Sequence, residues 1–246
     1  MCDRPQKIGF GWRGWMDLPA PETITPTGNW VDLSHPLSSD MPRVSFFPKP
    51  RVEQIMEMPV HPLNVTEMQM VVHIGPHVDS PRHFFCDGPA FEDVPIERLH
   101  GPGVVWRLNK GPKGVIEPAD LEACTPKLQP GNILLLSCGW SGYVGSTKYD
   151  DEHPSLSVAA AEWLVMQRCK LLAVDIPTPD LPVALRPDEF NWPVHHVLLR
   201  EGVIVAEHLC NTETLEGHRA EFVFCALNIA QADGAPARVL ARPIAD

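Results

Sequence analysis

Residues 73–83 read His73-Ile-Gly-Pro-His77-Val-Asp79-Ser-Pro-Arg-His83, so four side chains of metal-binding type lie within 11 positions. Side chains of a β-strand alternate between its two faces, and an extended conformation would therefore put His73, His77 and Asp79 on one face. Gly75, on the same face, would leave room for an ion. Two neutral imidazoles and a carboxylate are typical ligands of Zn²⁺ or Mn²⁺ and leave positions open for water. The stretch predicts a catalytic metal site.

A structural role is the alternative for these histidines. A single histidine on a strand usually forms hydrogen bonds within the fold, and a chain with 11 histidines brings some together by chance. The shared face and the additional His83 favour the metal site, because such clusters typically bind metals or catalyse reactions. As a ligand, His83 is the weakest member. Pro81 is expected to end the strand, so His83 would face the metal from a turn.

His195 and Glu207 are candidates for a second half of the site. A short helix over residues 194–200 is expected to end before Gly202, and a strand over 203–207 follows it. A helix and a strand in this order can fold back, which would return both side chains to the metal strand. The alternatives are an exposed histidine and an ordinary carboxylate at the end of a strand. From composition alone these alternatives are favoured for each residue, although a hydrolytic metal site does tend to need additional carboxylates.

The remaining pattern predicts an α/β (α+β) fold with a single strand-rich domain over residues 29–246, preceded by an irregular Pro- and Trp-rich arm over residues 1–28. Helices are expected over 158–168, with Ser157 as the N-cap, and over 121–124. No Gly-rich phosphate loop follows any predicted strand, which argues against nucleotide binding. Apolar or β-branched runs predict short strands over residues 30–33, 68–78, 103–108, 133–138, 171–176, 203–207 and 222–229.

Composition narrows the class of partner. The chain of 246 residues has a formal net charge of −11, which disfavours nucleic acids and anionic membranes because both attract basic surfaces. There is no apolar run long enough to span a bilayer and no secretory-type segment near the N-terminus. The seven cysteines include no Cys-x2-Cys pair, which argues against a disulfide framework. We expect a cytoplasmic protein with a small-molecule substrate.

Five segments together resemble the metal-dependent cyclase family, which includes bacterial kynurenine formamidase and isatin hydrolase. Residues 73–83 match the family pattern His-x-Gly-Thr-His-x-Asp-x-Pro-x-His, except that Pro76 stands where Thr is usual. The other segments are Val31-Asp-Leu-Ser-His-Pro-Leu37, Leu134-Leu-Leu-Ser-Cys-Gly-Trp-Ser141, Ala173-Val-Asp-Ile-Pro177 and residues 195–207. The C-terminal stretch Ala232-Asp-Gly-Ala-Pro-Ala-Arg-Val239 also looks like the family's ending.

The resemblance implies a role for each matching residue. His83 matches the catalytic histidine, and one or two Zn²⁺ or Mn²⁺ ions would be bound by His73, His77, Asp79, His195 and Glu207. It also implies a swivelling β/β/α domain and a homodimer or homotetramer. The metal would activate a water and the substrate carbonyl. His83 would take a proton from that water and return it to the leaving nitrogen.

The expected activity is hydrolysis of an aryl formamide or a cyclic amide. Phe46, Phe47 and Phe84 are the candidates for substrate binding, among aromatic residues that include Trp12, Trp15 and Phe85; core packing is the alternative for all six. Lactone or carbamate hydrolysis stays open within the same chemistry. A metal-dependent cyclase or dehydratase and a catalytically silent metal-binding protein are the alternatives outside it.

Overall fold

A closed β-sheet forms the centre of the structure, a computed structural model that describes residues 11–20 and 22–245. Within those residues the strands, numbered in chain order, are β1 (Val31–Asp32), β2 (Arg51–Met56), β3 (Val65–Gln69), β4 (His77–Asp79), β5 (His100–Arg107), β6 (Val115–Ile116), β7 (Ile133–Ser137), β8 (Ser155–Leu156), β9 (Leu171–Val174), β10 (Ile204–Glu207), β11 (Arg219–Ala226) and β12 (Gly234–Pro243).

The main sheet contains both parallel and antiparallel pairs, and the three-residue strand β4 closes it. Its order is β1-β12-β11-β5-β7-β9-β10-β4, and β12 also pairs with β4, which closes seven strands into a barrel. The strands β5, β7, β9 and β10 run parallel, and every other pairing in the sheet is antiparallel. As a result, β4 is held on both edges, by β10 and by β12. Two short additional sheets pair β2 with β3 and β6 with β8.

The apolar runs of the parallel strands form strands that are buried on both faces. In β7, Ile133 and Leu135 join a cluster with residues of β10, β11 and β12 inside the barrel. Leu134 and Leu136 point the other way, into a second cluster that contains the helix residues Leu164 and Leu198. This arrangement explains why the sequence shows continuous hydrophobic runs rather than alternation. It also confirms the predicted strand-rich α+β class, with helices on the outside of the sheet.

The helices are α1 (Pro118–Glu122), α2 (Thr147–Asp151), α3 (Val158–Met166) and α4 (Pro193–Arg200). The predicted N-cap of α3 is confirmed, since the Ser157 hydroxyl accepts a hydrogen bond from the Ala160 N–H at 3.1 Å. The predicted end of α4 is confirmed as well, because the chain turns at Gly202 with a φ of +74°. Among the described residues, no helix has the length and hydropathy to cross a membrane.

The prediction of one continuous strand over residues 68–78 is wrong. Strand β3 ends at Gln69 and β4 begins at His77, with turns and bends between them. Gly75 has a φ of +66°, and its N–H donates to the Pro42 carbonyl at 2.7 Å. Pro76 has no N–H to donate to a sheet ladder, and together with the turn at Gly75 it keeps the chain from continuing as one strand into His77. His73 therefore reaches the site from a turn, and it does not share a strand face with His77 and Asp79.

Two further differences concern strands with an atypical sequence. The prediction over 222–229 is shifted, since β11 ends at Ala226. Sequence reasoning missed β12, which contains two prolines, and the β2–β3 hairpin, whose exposed and polar residues do not form an apolar run. Of the predicted arm, residues 1–10 and 21 lie outside the described residues, and the division at residue 28 remains a prediction. Within the arm, the Arg13 N–H donates to the Arg200 carbonyl at 2.9 Å.

Candidate metal centre

Strand β4 places His77 and Asp79 at the seam where the barrel closes. Its register puts His77 opposite Glu207 of β10 on one side and opposite Pro236 of β12 on the other. His77 and Asp79 are two residues apart on the strand, so they share a face, as the sequence predicted for this pair. Both side chains are buried, with 0% and 1% of their surface exposed, and Glu207 is 6% exposed.

Two carboxylates lie between two imidazoles at this seam. The Nε2 atom of His77 is 3.3 Å from Asp79 Oδ1 and 3.4 Å from Glu207 Oε2. On the other side, Nε2 of His195 is 3.4 Å from Asp79 Oδ2 and 3.2 Å from Glu207 Oε1. The structure thus brings His195 and Glu207 back to β4, as the helix–strand pattern predicted. Each carboxylate therefore faces both imidazoles.

His73 joins the cluster from the turn before β4. Its Nδ1 lies 2.8 Å from Asp79 Oδ1, and its Nε2 lies 2.9 Å from Asp233 Oδ2. Although burial alone would lower the pKa of His73, the hydrogen bonds with Asp233 and Asp79 raise it to about 9. Gly234 is needed here because a Cβ at that position would lie 2.7 Å from His73 Cε1. Sequence reasoning missed Asp233, although the quoted C-terminal stretch contains it.

Asp180 fixes the orientation of His195. Its Oδ2 accepts from His195 Nδ1 at 2.6 Å and from the His195 backbone N–H at 3.1 Å, while Oδ1 accepts from the Val194 N–H at 2.9 Å. One carboxylate, 1% exposed, therefore both holds the imidazole and satisfies the first turn of α4. The pattern is that of a ligand histidine with a carboxylate behind it, a partner that sequence spacing did not indicate.

The donor set fits a divalent cation. Among the described residues, His77 Nε2, Asp79 Oδ2 and Glu207 Oε1 are buried and have no hydrogen-bond partner, although they face one another. Burial would raise the pKa of Asp79, but the imidazoles of His195, His73 and His77 close to its carboxylate hold that pKa well below its usual range. Buried anions require a compensating cation. Imidazole nitrogens and carboxylate oxygens in this number suit Zn²⁺ or Mn²⁺.

His83 lies at the edge of the cluster rather than within it. It ends a single 3₁₀ turn, Pro81–His83, which confirms that Pro81 terminates the strand. Its ring stacks on His73 with centroids 3.8 Å apart, and its Nδ1 is 3.4 Å from Asp233 Oδ2. Burial lowers the pKa of His83, so the neutral imidazole is favoured. Its side chain keeps 23% of its surface exposed, which makes it the accessible histidine beside the centre.

A cavity of about 280 Å³ opens above these histidines. Phe46, Phe47 and Phe84 all line it, so the structure places the three predicted substrate-binding residues at the site. Trp12, Trp15 and Phe85 pack against the two hydrophobic clusters instead. The full lining, which includes residues that sequence reasoning missed, is Val44, Phe46, Phe47, His73, His83, Phe84, Thr178, Arg186, Trp192, His195 and Glu207.

Comparison with known sequences places the chain in a family. The sequence profile described as "Putative cyclase" matches residues 31–181, which is more than half of the chain. The chain belongs to the cyclase family. The matched segment contains His73, His77, Asp79, His83 and Asp180, and it ends before His195 and Glu207.

Individual cyclase-family relatives have names that refer to hydrolysis. A kynurenine formamidase of Bordetella petrii is 30% identical over 184 residues, covering 74% of this chain and 82% of the relative. A structure described as a potential metal-dependent hydrolase with cyclase activity is 26% identical, with a TM-score of 0.70 over 87% of this chain and 96% of that chain. An isatin hydrolase bound to the product analogue thioisatinate superposes with a TM-score of 0.79 at 20% identity, covering 88% and 92%. The last of these shows the fold.

Proposed function

We propose that this chain is a metal-dependent hydrolase of an aryl formamide or a cyclic aryl amide. The observation that carries the proposal is the pair of buried carboxylates, Asp79 and Glu207, set between His77 and His195 at the base of an aromatic cavity. The formamidase name of a 30% identical relative supports the amide as the bond that is cleaved.

His73, His77, Asp79, His195 and Glu207 would hold one or two Zn²⁺ or Mn²⁺ ions. When bound, such an ion polarises a carbonyl and makes a water nucleophilic at neutral pH. Hydrogen bonds to the Nδ1 atoms of two of these histidines fix the orientation of their rings. Asp180 holds Nδ1 of His195 at 2.6 Å, and the Gly75 carbonyl accepts from Nδ1 of His77 at 2.8 Å. In both residues Nε2 is left facing the carboxylates.

His83 would move the proton. Its Nδ1 faces Asp233 at 3.4 Å, which leaves Nε2 as the nitrogen available toward the cavity. A carboxylate on Nδ1 favours the tautomer with a proton on that atom, so Nε2 is a free base. It would accept a proton from the attacking water and deliver it to the leaving nitrogen, a task that typically contributes about 10²–10⁴-fold in rate.

The cavity walls suit a planar aromatic substrate that carries a negative charge. Phe46, Phe47, Phe84 and Trp192 offer flat apolar surfaces. Arg186 also lines the cavity; its Nε donates to the Leu181 carbonyl, and its guanidinium lies 5.5 Å from the centre of the Trp192 ring. Within the described part of the chain its terminal nitrogens form no hydrogen bond, and they would be available to a substrate carboxylate.

A product-mass assay tests the proposal. Metal-loaded protein is incubated with N-formylkynurenine, isatin, a lactone and a carbamate, and compared with the His83→Ala variant and with His61→Ala, a substitution in the exposed β2–β3 loop. We expect a gain of one water on an amide substrate, abolished by chelation and by His83→Ala but unaffected by His61→Ala. If only the lactone or the carbamate were hydrolysed, the protein would be a hydrolase of those bonds and not of amides. Loss of water would indicate cyclisation or dehydration, and no turnover with bound metal would indicate a silent protein.

The proposal includes a homodimer or homotetramer, which the family resemblance of the sequence supports, and a cytoplasmic location, which the cysteine pattern supports. Light scattering of the metal-loaded protein measures the assembly. A monomer mass at micromolar concentration would contradict it.

A further inference from the structure

His208 lies directly after the ligand candidate Glu207, in a conformation that few residues adopt. It is fully buried, and its backbone φ is +61°, in the left-handed region. A non-glycine residue in this region costs conformational free energy, and such residues concentrate at functional sites. The backbone is held in place, since the His208 N–H donates to the Ile176 carbonyl at 3.2 Å.

The ring of His208 is fixed from one side and open on the other. The Tyr149 hydroxyl, on helix α2, forms a hydrogen bond with Nδ1 at 2.8 Å. Tyr149 is itself 2% exposed, and its ring stacks on the imidazole with centroids 5.7 Å apart. Nε2 is buried and has no hydrogen-bond partner among the residues that the structure describes. Because buried ring nitrogens normally have a partner, Nε2 of His208 is open to a bound group.

The metal centre lies on the open side. A ring nitrogen of His208, one of His77 and a carboxylate oxygen of Glu207 lie within 4.8 Å of one another. The His77 and His208 rings are 5.6 Å apart between centroids. The Gly75 carbonyl occupies His77 Nδ1 and the Tyr149 hydroxyl occupies His208 Nδ1, so Nε2 is the nitrogen that each ring has left to offer. Two imidazoles and a carboxylate at these separations form a ligand set.

We propose that His208 is an additional metal-binding residue, which Tyr149 holds in position and which coordinates together with His77 and Glu207. The inference rests on the proposed metal-dependent function, and it adds a ligand that the sequence resemblance does not include. An additional imidazole makes this side of the centre rich in nitrogen. It favours Zn²⁺ and Co²⁺ over Mn²⁺, which prefers oxygen ligands.

The test compares His208→Asn with His218→Asn in the full chain. Asparagine tolerates a positive φ, so the first substitution removes the imidazole with little added backbone strain. His218 is exposed and serves as the matched control. Zn²⁺ affinity is measured by competition with a chromogenic chelator, and the number of imidazoles on bound Zn²⁺ by X-ray absorption. We expect His208→Asn to lose one imidazole and to weaken Zn²⁺ binding by more than the roughly 10–100-fold that loss of a residue behind a ligand costs, and His218→Asn to change neither.

Tyr149→Phe supplies a second variant that keeps the imidazole. It should weaken Zn²⁺ binding less than His208→Asn does and leave the number of imidazoles on the bound Zn²⁺ unchanged. Circular dichroism of the metal-free proteins shows whether each variant is folded. An unchanged Zn²⁺ affinity in His208→Asn, with amide hydrolysis retained, would overturn this inference and leave the proposed function standing. Weaker binding with no loss of an imidazole would overturn direct coordination. A wild-type protein that binds no divalent metal would overturn both proposals.

Discussion

Substitutions of Asp180 can distinguish an effect on the stability of the fold from an effect on metal affinity. Its carboxylate accepts three hydrogen bonds, two from backbone N–H groups of α4 and one from His195 Nδ1. In Asp180→Ala all three are lost in a buried place, which should reduce the free energy of unfolding by about 3–5 kcal/mol. For a chain of this size, the corresponding drop in Tm is about 10 °C.

Asp180→Asn is the matched variant. Its amide oxygen can still accept from the backbone N–H groups of Val194 and His195, so the stability loss should be only about 1 kcal/mol. The charge behind His195 is nevertheless gone, and metal affinity should fall by about 10–100-fold in both variants. Urea unfolding of the metal-free proteins and chelator competition measure the two quantities independently. Wild-type metal affinity in Asp180→Asn, or wild-type stability in Asp180→Ala, would refute the dual role.

Three further outcomes are expected. In steady-state kinetics, Arg186→Met should raise KM about tenfold for a substrate with a carboxylate, which corresponds to about 1.4 kcal/mol. KM for uncharged isatin should not change. Equal effects on both substrates would contradict a role of Arg186 in binding a negative charge. Burial raises the pKa of Asp175 from 3.8 to about 6, so its contribution to stability is present below pH 3.8 and is lost as the pH rises through 6. Urea unfolding measures the free energy of unfolding between pH 4 and 7. The decrease in this free energy that Asp175 causes as the pH rises should disappear in Asp175→Asn, and an unaltered pH dependence in that variant would contradict the prediction. Gly75→Ala should lower the Tm more than Gly217→Ala does, because both have a positive φ but only at Gly75 would the new Cβ meet an atom, Met41 Sδ at 2.8 Å.

The sequence predicted which side chains gather at β4 better than it predicted the geometry that brings them together. His77 and Asp79 share a strand face as expected, and the helix–strand pattern correctly brought His195 and Glu207 back to β4. His73 was placed on the wrong kind of element. A period of two is satisfied by residues 73, 77 and 79 whether or not the chain is extended, and Gly75-Pro76 is the local signal for a turn.

The residues that were missed act through distant partners. Asp180 and Asp233 are single carboxylates: Asp180 reaches His195 because its loop turns back onto the first turn of α4, and Asp233 reaches His73 because β12 pairs with β4. Spacing along the chain contains no information about such contacts. For the aromatic residues, the expectation of core packing was right for Phe85, which is 1% exposed. Phe46, at 58% exposed, lines the cavity, and no periodicity in its neighbourhood distinguished it.

The closure of the barrel through β4 determines when the site can exist during folding. The strand has three residues, and its partners β10 and β12 are more than 120 residues further along the chain. Contacts so distant in sequence form late, after the cost of closing large loops has been met. A chain still being synthesised therefore has no assembled centre until its last strand has emerged. The proposed metal would then bind as a late step of folding, and it would stabilise the seam that holds its ligands.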